Sequence, residues 1–582
     1  MIDKYYEDEL RYLYDSGREF AKAHPDRARF LNIDAVGDRD PYVERLFEGF
    51  AFLAARIREK IDDAFPELTG GILDLLWPHL LQEVPSLSIV EFRPRKGFLQ
   101  ETRTIARGAE ILTGAVGSES AVCRFTTTSN VQVHPIALSA VEKTIDGKAR
   151  ATLHFKFRID PGIKWSALRL SPLRIHLHAE KPTALTLYQL FTGHVVEARL
   201  TAEESGRTVV LDSASAVNAG GLTPDESLLP GDPRGFWGYS LLREYFVFPE
   251  KFLCVDFNGF DRLGDMDPGP EHLTYSVTFD RDIPPERPFR TENFRLFCTP
   301  VANIVKRDVE PVANTGRQVE YPVVADASYP ESVRTHSVVS AIGIDRSTGE
   351  RRPYDVLHAF RNLGRKDLRT YSTRYRFAPD GKRKCYITFG GNQLVNGELR
   401  EENISLEAWC TNGALPREEV REGGISKPGA GFPDYVMVTN LTRPTLPSEP
   451  PKDEEFPWMF LSHASANLSS LGSTDTLKAL LRLYDWSGEE GNARRVEAIS
   501  QVSLRPVEAA VNGSVLRGVE FSVHLQETEF QESGEMYLLG AVLMEFLTHY
   551  VSINSFVLLV MVLQPSGVSR RWSSLRGKKW PV

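Results

Sequence analysis

The chain has 582 residues, 42% of them hydrophobic and 25% charged, and a formal net charge of −9 at pH 7. That length exceeds what a single hydrophobic core organises and points to roughly four domains, while the apolar fraction excludes general disorder. The acidic balance argues against nucleic acid as the main partner, because phosphate binding wants a basic field.

In chain order, the first eighty residues read as successive helices. Tyr6, Leu10, Leu13 and Phe20 recur at helical spacing, and Pro25 marks a stop. Asp40-Pro41 then opens a second helix, an N-cap type followed by proline at the first helical position. Its apolar stripe runs Val43, Leu46, Phe47, Phe50, Leu53, Ala54, Ile57 and Ile61, with charged residues on the remaining surface. A third helical segment follows Pro66 and ends near Trp77-Pro78. Stripes this apolar either close a private core or join a bundle with other chains. On the second reading the partner-facing residues are Tyr6, Leu10, Leu13, Phe20, Val43, Leu46, Phe47, Phe50, Leu53, Ile57 and Ile61.

After Val84-Pro85 the pattern alternates. Strands are predicted at Leu87–Phe92, Ile105–Leu112 with a turn at Gly108, Cys123–Thr127, Ala151–Ile159 and Leu168–His178. Further short strands are predicted at Tyr245–Phe248, Phe252–Phe257, Leu273–Phe279 and Phe294–Cys298. The segment 447–457, rich in proline and charge, reads as an extended linker. Beyond it, Thr474–Tyr484 has a helical stripe, Arg517–Leu525 reads as a strand, and Tyr537–Tyr550 reads as a helix too apolar to stand in water. The fold class is therefore α+β and multidomain: an N-terminal helical segment (1–85), a long β-rich middle (86–446) of two β domains, the linker (447–457) and a C-terminal mixed α/β unit (458–582).

Five cysteines (Cys123, Cys254, Cys298, Cys385, Cys410) are widely spaced and form no Cys-x-x-Cys, which suits a reducing compartment. The first residues lack a signal-peptide layout, and the apolar run at 556–563 is far short of the ~20 residues that span a bilayer. A cytoplasmic protein is expected.

Candidate chemistry is thin. His24-Pro25-Asp26 copies the J-domain tripeptide, but the preceding helix is acidic where a J-domain is basic. His176 and His178 share one strand face as a metal pair would, with His154 and Glu180 nearby in sequence; a solvated strand face is the plainer reading. The acidic loop Asp261, Asp265, Asp267 and Glu271 lacks the ligand spacing of a calcium loop. The basic and aromatic C-terminus (Arg570, Arg571, Trp572, Arg576, Lys578, Lys579, Trp580) could touch an anionic surface, although a terminal strand or docking tail accounts for it better. No nucleophile elbow, phosphate loop or zinc-protease motif occurs. No catalytic group, cofactor or metal is expected.

Several segments resemble the TssF family of type VI secretion baseplate subunits. They include Tyr5-Tyr6-Glu7-Asp8-Glu9-Leu10, Phe20-Ala21-Lys22-Ala23-His24-Pro25 and the run from Asp40 to Ile57. They continue with Phe65-Pro66-Glu67-Leu68, Trp77-Pro78-His79-Leu80, the run from Arg243 to Phe252, and Trp458-Met459-Phe460-Leu461-Ser462-His463. Gly518-Val519-Glu520-Phe521 and the stretch from Gly540 to Phe556 complete the pattern. Two departures stand out: Gly413 where the family usually has arginine, and a missing leucine near Ser465-Ala466-Asn467.

The resemblance implies a non-enzymatic structural protein of the baseplate wedge. Its implied partners are TssG, a second TssF copy, TssK, TssE, the VgrG spike hub and the sheath base, with no nucleic acid and no direct membrane insertion. The assembly is implied to dock at the inner face of the cytoplasmic membrane. The alternative is a stand-alone β-rich binding or metal-dependent hydrolytic protein using the His176/His178 face or the acidic loop.

Overall fold

A computed structural model describes residues 2–23, 42, 44–56, 82–147, 150–230, 237–264, 269–357, 369–377, 383–391, 394–395, 398–399, 401–451, 456, 459–460, 468–511 and 514–579. The chain divides into two compact units: Met1–Leu81 with Lys452–Ser465, and Gln82–Pro451 with Ala466–Val582. The architecture is α+β, with helices at the N-terminus, several sheets in the middle and mixed elements at the C-terminus. The third expected helix, at 66–78, lies outside the described residues.

The first unit holds helix α1 (Ile2–Ala23) and helix α2 (residues 44–56). Tyr14 of α1 meets Phe47 of α2 with ring centroids 5.9 Å apart. In the same unit, Phe456 and Phe460 are buried and pack edge to face at 4.9 Å.

The second unit opens with a six-stranded sheet, in which Leu87–Pro94 lies between Cys298–Ala302 and Val436–Asn440, both antiparallel to it. Chain segments more than three hundred residues apart thus share one core from the outset. Ser86 and Ser88 add hydrogen bonds to the carbonyls of Thr445 and Thr442, at 2.6 and 2.7 Å. Val84 and Ser448 exchange both backbone hydrogen bonds at 2.8 Å, so the first residues of the expected linker are tied down. A five-stranded and a four-stranded sheet follow, with a phenylalanine cluster (Phe155, Phe191, Phe257, Phe294) whose edge-to-face contacts are as close as 5.0 Å. A seven-stranded sheet takes up residues 305–411 and has its own core around Tyr354, Tyr371, Ile387, Ile404 and Leu406. At its end Gly413 adopts φ +55°, and a Cβ there would sit 2.8 Å from the Arg334 guanidinium carbon. A family arginine at this position would need a different backbone and a displaced Arg334.

Most predicted strands are present, although Phe294–Cys298 is split between two sheets, Ile105–Leu112 divides into Arg103–Ile105 and Glu110–Val116, and the Phe252–Phe257 strand begins at Cys254. Two further segments differ more. Tyr245–Phe248 is not a strand. It lies at the end of a helix, α4 (Trp237–Val247), reached after α3 (Lys181–Gly193). Gly238, Tyr239 and every residue from Leu241 to Phe246 is buried, so the apolar pattern carries no helical period, and aromatic content alone suggested a strand. The Leu168–His178 strand is shorter than expected, only Leu173–Leu177, because Pro172 precedes it and Trp165–Ala167 forms a 3-10 turn.

At the C-terminus, α5 (Thr474–Tyr484) and α6 (Glu490–Glu497) lead into a hairpin of Ile499–Val511 and Ser514–Gln526. Helix α7 (Ser533–Thr548) then crosses over to Phe556–Gln564, which pairs parallel with the second hairpin strand. That crossover explains the apolar run at 556–563: a central strand covered on both faces reads as continuous hydrophobics. Helix α7 packs on α3 and α4. The approach is close, since a Cβ on Gly534 would lie 2.2 Å from the Leu185 carbonyl oxygen. The basic C-terminus becomes strands Ser569–Arg571 and Leu575–Arg576 on the same sheet. Arg570 donates to the carbonyls of Thr192 and Gly193, and Lys578 pairs with Glu545, so these cations serve internal contacts.

The segment 243–252 links the sheets to the C-terminal helices. Glu244 and Lys251 form an ion pair at 2.5 Å with only 3% and 1% of their side chains exposed. Glu244 also accepts from Ser227 Oγ and the Leu228 amide, at 3.0 and 2.9 Å. Arg243 stacks on Trp486 at 4.9 Å, and burial lowers its pKa to about 10. The Phe246 carbonyl accepts from Asn492 at 3.1 Å, while Arg495 bonds Tyr245, Asn492 and Glu535. Removing one member of a buried pair strands the other charge, at a cost of about 3–5 kcal/mol. Glu244→Gln should therefore lower the unfolding free energy by about that amount, and adding Lys251→Met should recover part of it. Denaturant titration measures both, and a loss below about 1 kcal/mol would show that the pair carries no buried charge.

Candidate partner interface

The single apolar stripe read on the second helix is two rows in the structure. At 100° per residue, Phe47, Ala51 and Ala55 form one row and Leu46, Phe50 and Leu53 another, centred about 130° apart. The first row is turned inward: Ala51 and Ala55 are fully buried, and Phe47 meets Tyr14. The second row faces solvent, with Leu46, Phe50 and Leu53 exposed by 70, 63 and 60%. Tyr42, exposed by 82%, stands one turn before Leu46. On α1, Tyr6, Leu10 and Leu13 are half-buried. The side chains of Phe20, Val43, Ile57 and Ile61 lie outside the described residues. The structure thus brings Leu46, Phe50 and Leu53 together on an open face and assigns Phe47 to the inner one. The two alanines went unnoticed in the sequence because small residues carry little weight in an apolar pattern, although they let helices approach closely.

The histidine pair has a different setting from the solvated strand face expected of it. His176 and His178 do share a face, with ring centroids 6.5 Å apart, but His176 is only 5% exposed. Burial depresses its pKa to about 3 and lowers that of His178, so both imidazoles are neutral at pH 7. His154 is on another sheet, where Thr144 and Ser276 occupy its two ring nitrogens at 2.8 Å each. Among the described residues no three histidine, cysteine or acidic side chains stand together as a metal group would require. Of the acidic loop, Asp261 accepts from Ser171 at 3.0 Å. Asp265, Asp267 and the tripeptide His24-Pro25-Asp26 lie outside the described residues. All five cysteines are buried.

The histidines border a cavity of about 280 Å³ that sequence reasoning missed. Its lining comes from the Leu173–Leu177 strand, α3, the turn after α4, the loops at 422 and 441–443, α6 and α7. No local pattern marks a space assembled from seven separate elements.

The family described as type VI secretion system TssF matches residues 1–579. The type VI secretion system component TssF1 of Pseudomonas aeruginosa PAO1 is 30% identical, over 99% of this chain and 98% of that one. Among solved structures, a chain of the TssK-TssF-TssG baseplate subcomplex superposes with TM-score 0.76 at 31% identity. It covers 92% of this chain and 100% of that one. A chain of the type VI secretion baseplate complex superposes with TM-score 0.66 at 29% identity, both chains being fully covered. With a family match over residues 1–579 and a relative 30% identical over 99% of its length, this chain belongs to the TssF family of type VI secretion baseplate components.

Proposed function

We propose that the chain is a non-catalytic subunit of the baseplate wedge that joins TssG through the exposed row Leu46, Phe50 and Leu53 of α2. The observation that supports this docking is the row itself. Three large apolar side chains at i, i+4 and i+7 stand in water, and burying each fully contributes about 1.5–3 kcal/mol. Tyr6, Leu10, Leu13, Phe20, Val43, Phe47, Ile57 and Ile61 belong to the same proposed helical contact, with Phe47 shaping it from the inner side. TssK is a second proposed partner, in keeping with the subcomplex that this chain resembles. A second copy of this chain, TssE, the VgrG hub and the sheath base complete the proposed assembly, docked at the inner face of the cytoplasmic membrane. Among the described residues no helix is long and apolar enough to cross a membrane.

The proposed work is mechanical. Interfaces packed in two alternative ways hold the spike and sheath base until a trigger rearranges them, a task that bistable contacts perform without chemistry. The competing reading, a metal-dependent hydrolase, predicts a resident ion. Dialysis against EDTA should leave Tm unchanged, and elemental analysis should find no stoichiometric metal; a bound ion whose removal lowers Tm would favour the hydrolase.

The docking proposal has a direct test. Leu53→Asp places a charge within the contact, where an unpaired buried charge costs several kcal/mol. It should abolish co-purification with TssG, while circular dichroism and protease resistance of the β-rich body stay unchanged. Arg45→Ala, on the exposed charged side of α2, should be mild, within about 0.5 kcal/mol. Unfolding of the isolated Leu53→Asp chain would assign the row to an internal core, and unaltered co-purification would place TssG elsewhere.

A further inference from the structure

The cavity beside His176 contains polar groups that the fold itself leaves without partners. Neither His176 nor His178 makes a side-chain hydrogen bond among the described residues, although His176 is almost wholly buried. The ring nitrogens of both are absent from the fully buried atoms without a partner, so they open on the cavity and can bond a group that enters it. Glu250, in the turn after α4, also lines the space. Its carboxyl meets its own backbone amide, and among the described residues no cation lies within ion-pair distance of it. Burial raises its pKa, while Lys181 and Arg495 favour its charged form from beyond ion-pair distance.

The cations around the cavity are occupied or remote. Arg495 is held by Glu535 and Asn492, and the Arg443 guanidinium donates to the carbonyls of Arg417 and Glu418. Lys181 stands exposed at the rim. The walls between are aliphatic: Leu177, Leu185, Leu253, Leu441 and Leu538. An anion would find Arg443 and Arg495 already hydrogen-bonded, Lys181 at the rim, and the carboxyls of Glu250, Glu422 and Glu535 in the same lining. A hydrated metal ion would find no third ligand among the described residues.

We propose that this cavity receives a guanidinium or ammonium group on an aliphatic stem, with its charge against Glu250, its N–H groups on the His176 imidazole and its stem along the leucines. A cation in the cavity supplies the direct ion-pair partner that Lys181 and Arg495 do not give Glu250, and a neutral imidazole nitrogen accepts a hydrogen bond from it. The stem explains the size, since about 280 Å³ approaches the range of small-ligand pockets and far exceeds what one water needs. The group could belong to a side chain of a neighbouring subunit or to a free polyamine.

The test uses the purified full chain and n-butylguanidinium as probe, with n-butylurea as its uncharged analogue, both followed by calorimetric titration. Saturable one-to-one binding of the cation is expected, with no measurable binding of the urea. Glu250→Gln keeps the shape and removes the charge, and should weaken binding at least tenfold. Independently of any variant, affinity of the natural chain should rise with pH as Glu250 gives up its proton, over a range that burial places above that of a free glutamate. The groups facing Glu250 during this titration are Lys181 from α3, Glu489 and Arg495 at α6, and His176 and His178 from the strand. Glu535 from α7, with Glu422 and Arg443 at the mouth, completes the set. Lys181→Ala should therefore shift the profile and keep its direction.

Repeating the titration on the complex with TssG separates the two sources. Binding lost in the complex identifies a partner side chain as the occupant, and binding retained identifies a free cation. Equal binding of the urea, an affinity that does not change with pH, or no saturable binding to the free chain would overturn the proposal. The proposed docking of α2 could fail without affecting these results on the isolated chain.

Discussion

The buried pairing of Glu244 with Lys251 is the contact on which the larger unit depends. Two charges removed from water are tolerable only when each is satisfied, and here the carboxylate also accepts from Ser227 and Leu228 while the ammonium lies near the Trp237 and Phe252 rings. This fixes the turn after α4 and, with it, the orientation of the helix. Tyr239 can then stack on Tyr484 at 5.2 Å and bond the Tyr550 hydroxyl at 2.9 Å. Arg243 lies over Trp486, and the Phe246 carbonyl reaches Asn492. One short helix thereby joins the sheets of residues 82–451 to the C-terminal elements.

Helix α2 shows the opposite economy. Its inner row is made of alanines and one phenylalanine, and its outer row of leucines and a phenylalanine left in water. Scattered exposed apolar residues are ordinary, but three on one helical face form a continuous strip. In a subunit whose relatives lie in a multi-protein baseplate, such a strip is consistent with stability that is completed by assembly. The cavity beside His176 has the same character in polar form, with groups whose bonding is incomplete in the single chain.

Much of this was written in the sequence. Proline, glycine and period marked α1, α5 and most strands, because these elements cover one face and leave the other open, whereas α7, buried almost throughout, was legible from its apolar content. The family resemblance was legible for the same reason that it could not locate the cavity: it resides in contiguous segments. The Arg243–Phe252 segment announced the family in sequence, yet its conformation was misread, since a helix buried on all sides carries no period.

What only the tertiary structure decided is which residues face each other across long separations. The sequence determined that His176 and His178 share a face; burial beneath α3, the turn after α4 and α7 decided that this face is interior. It determined that the second helix is apolar; the tertiary structure decided that Phe47, facing Tyr14 of α1, Ala51 and Ala55 form the covered row. It determined a basic C-terminal tail; pairing with Phe556–Gln564 decided that Arg570 meets the carbonyls of Thr192 and Gly193 and that Lys578 meets Glu545. The physical reason is common to all three: hydrophobic period and turn chemistry act over a few residues, while burial, which sets charge state and availability, is a property of segments hundreds of residues apart.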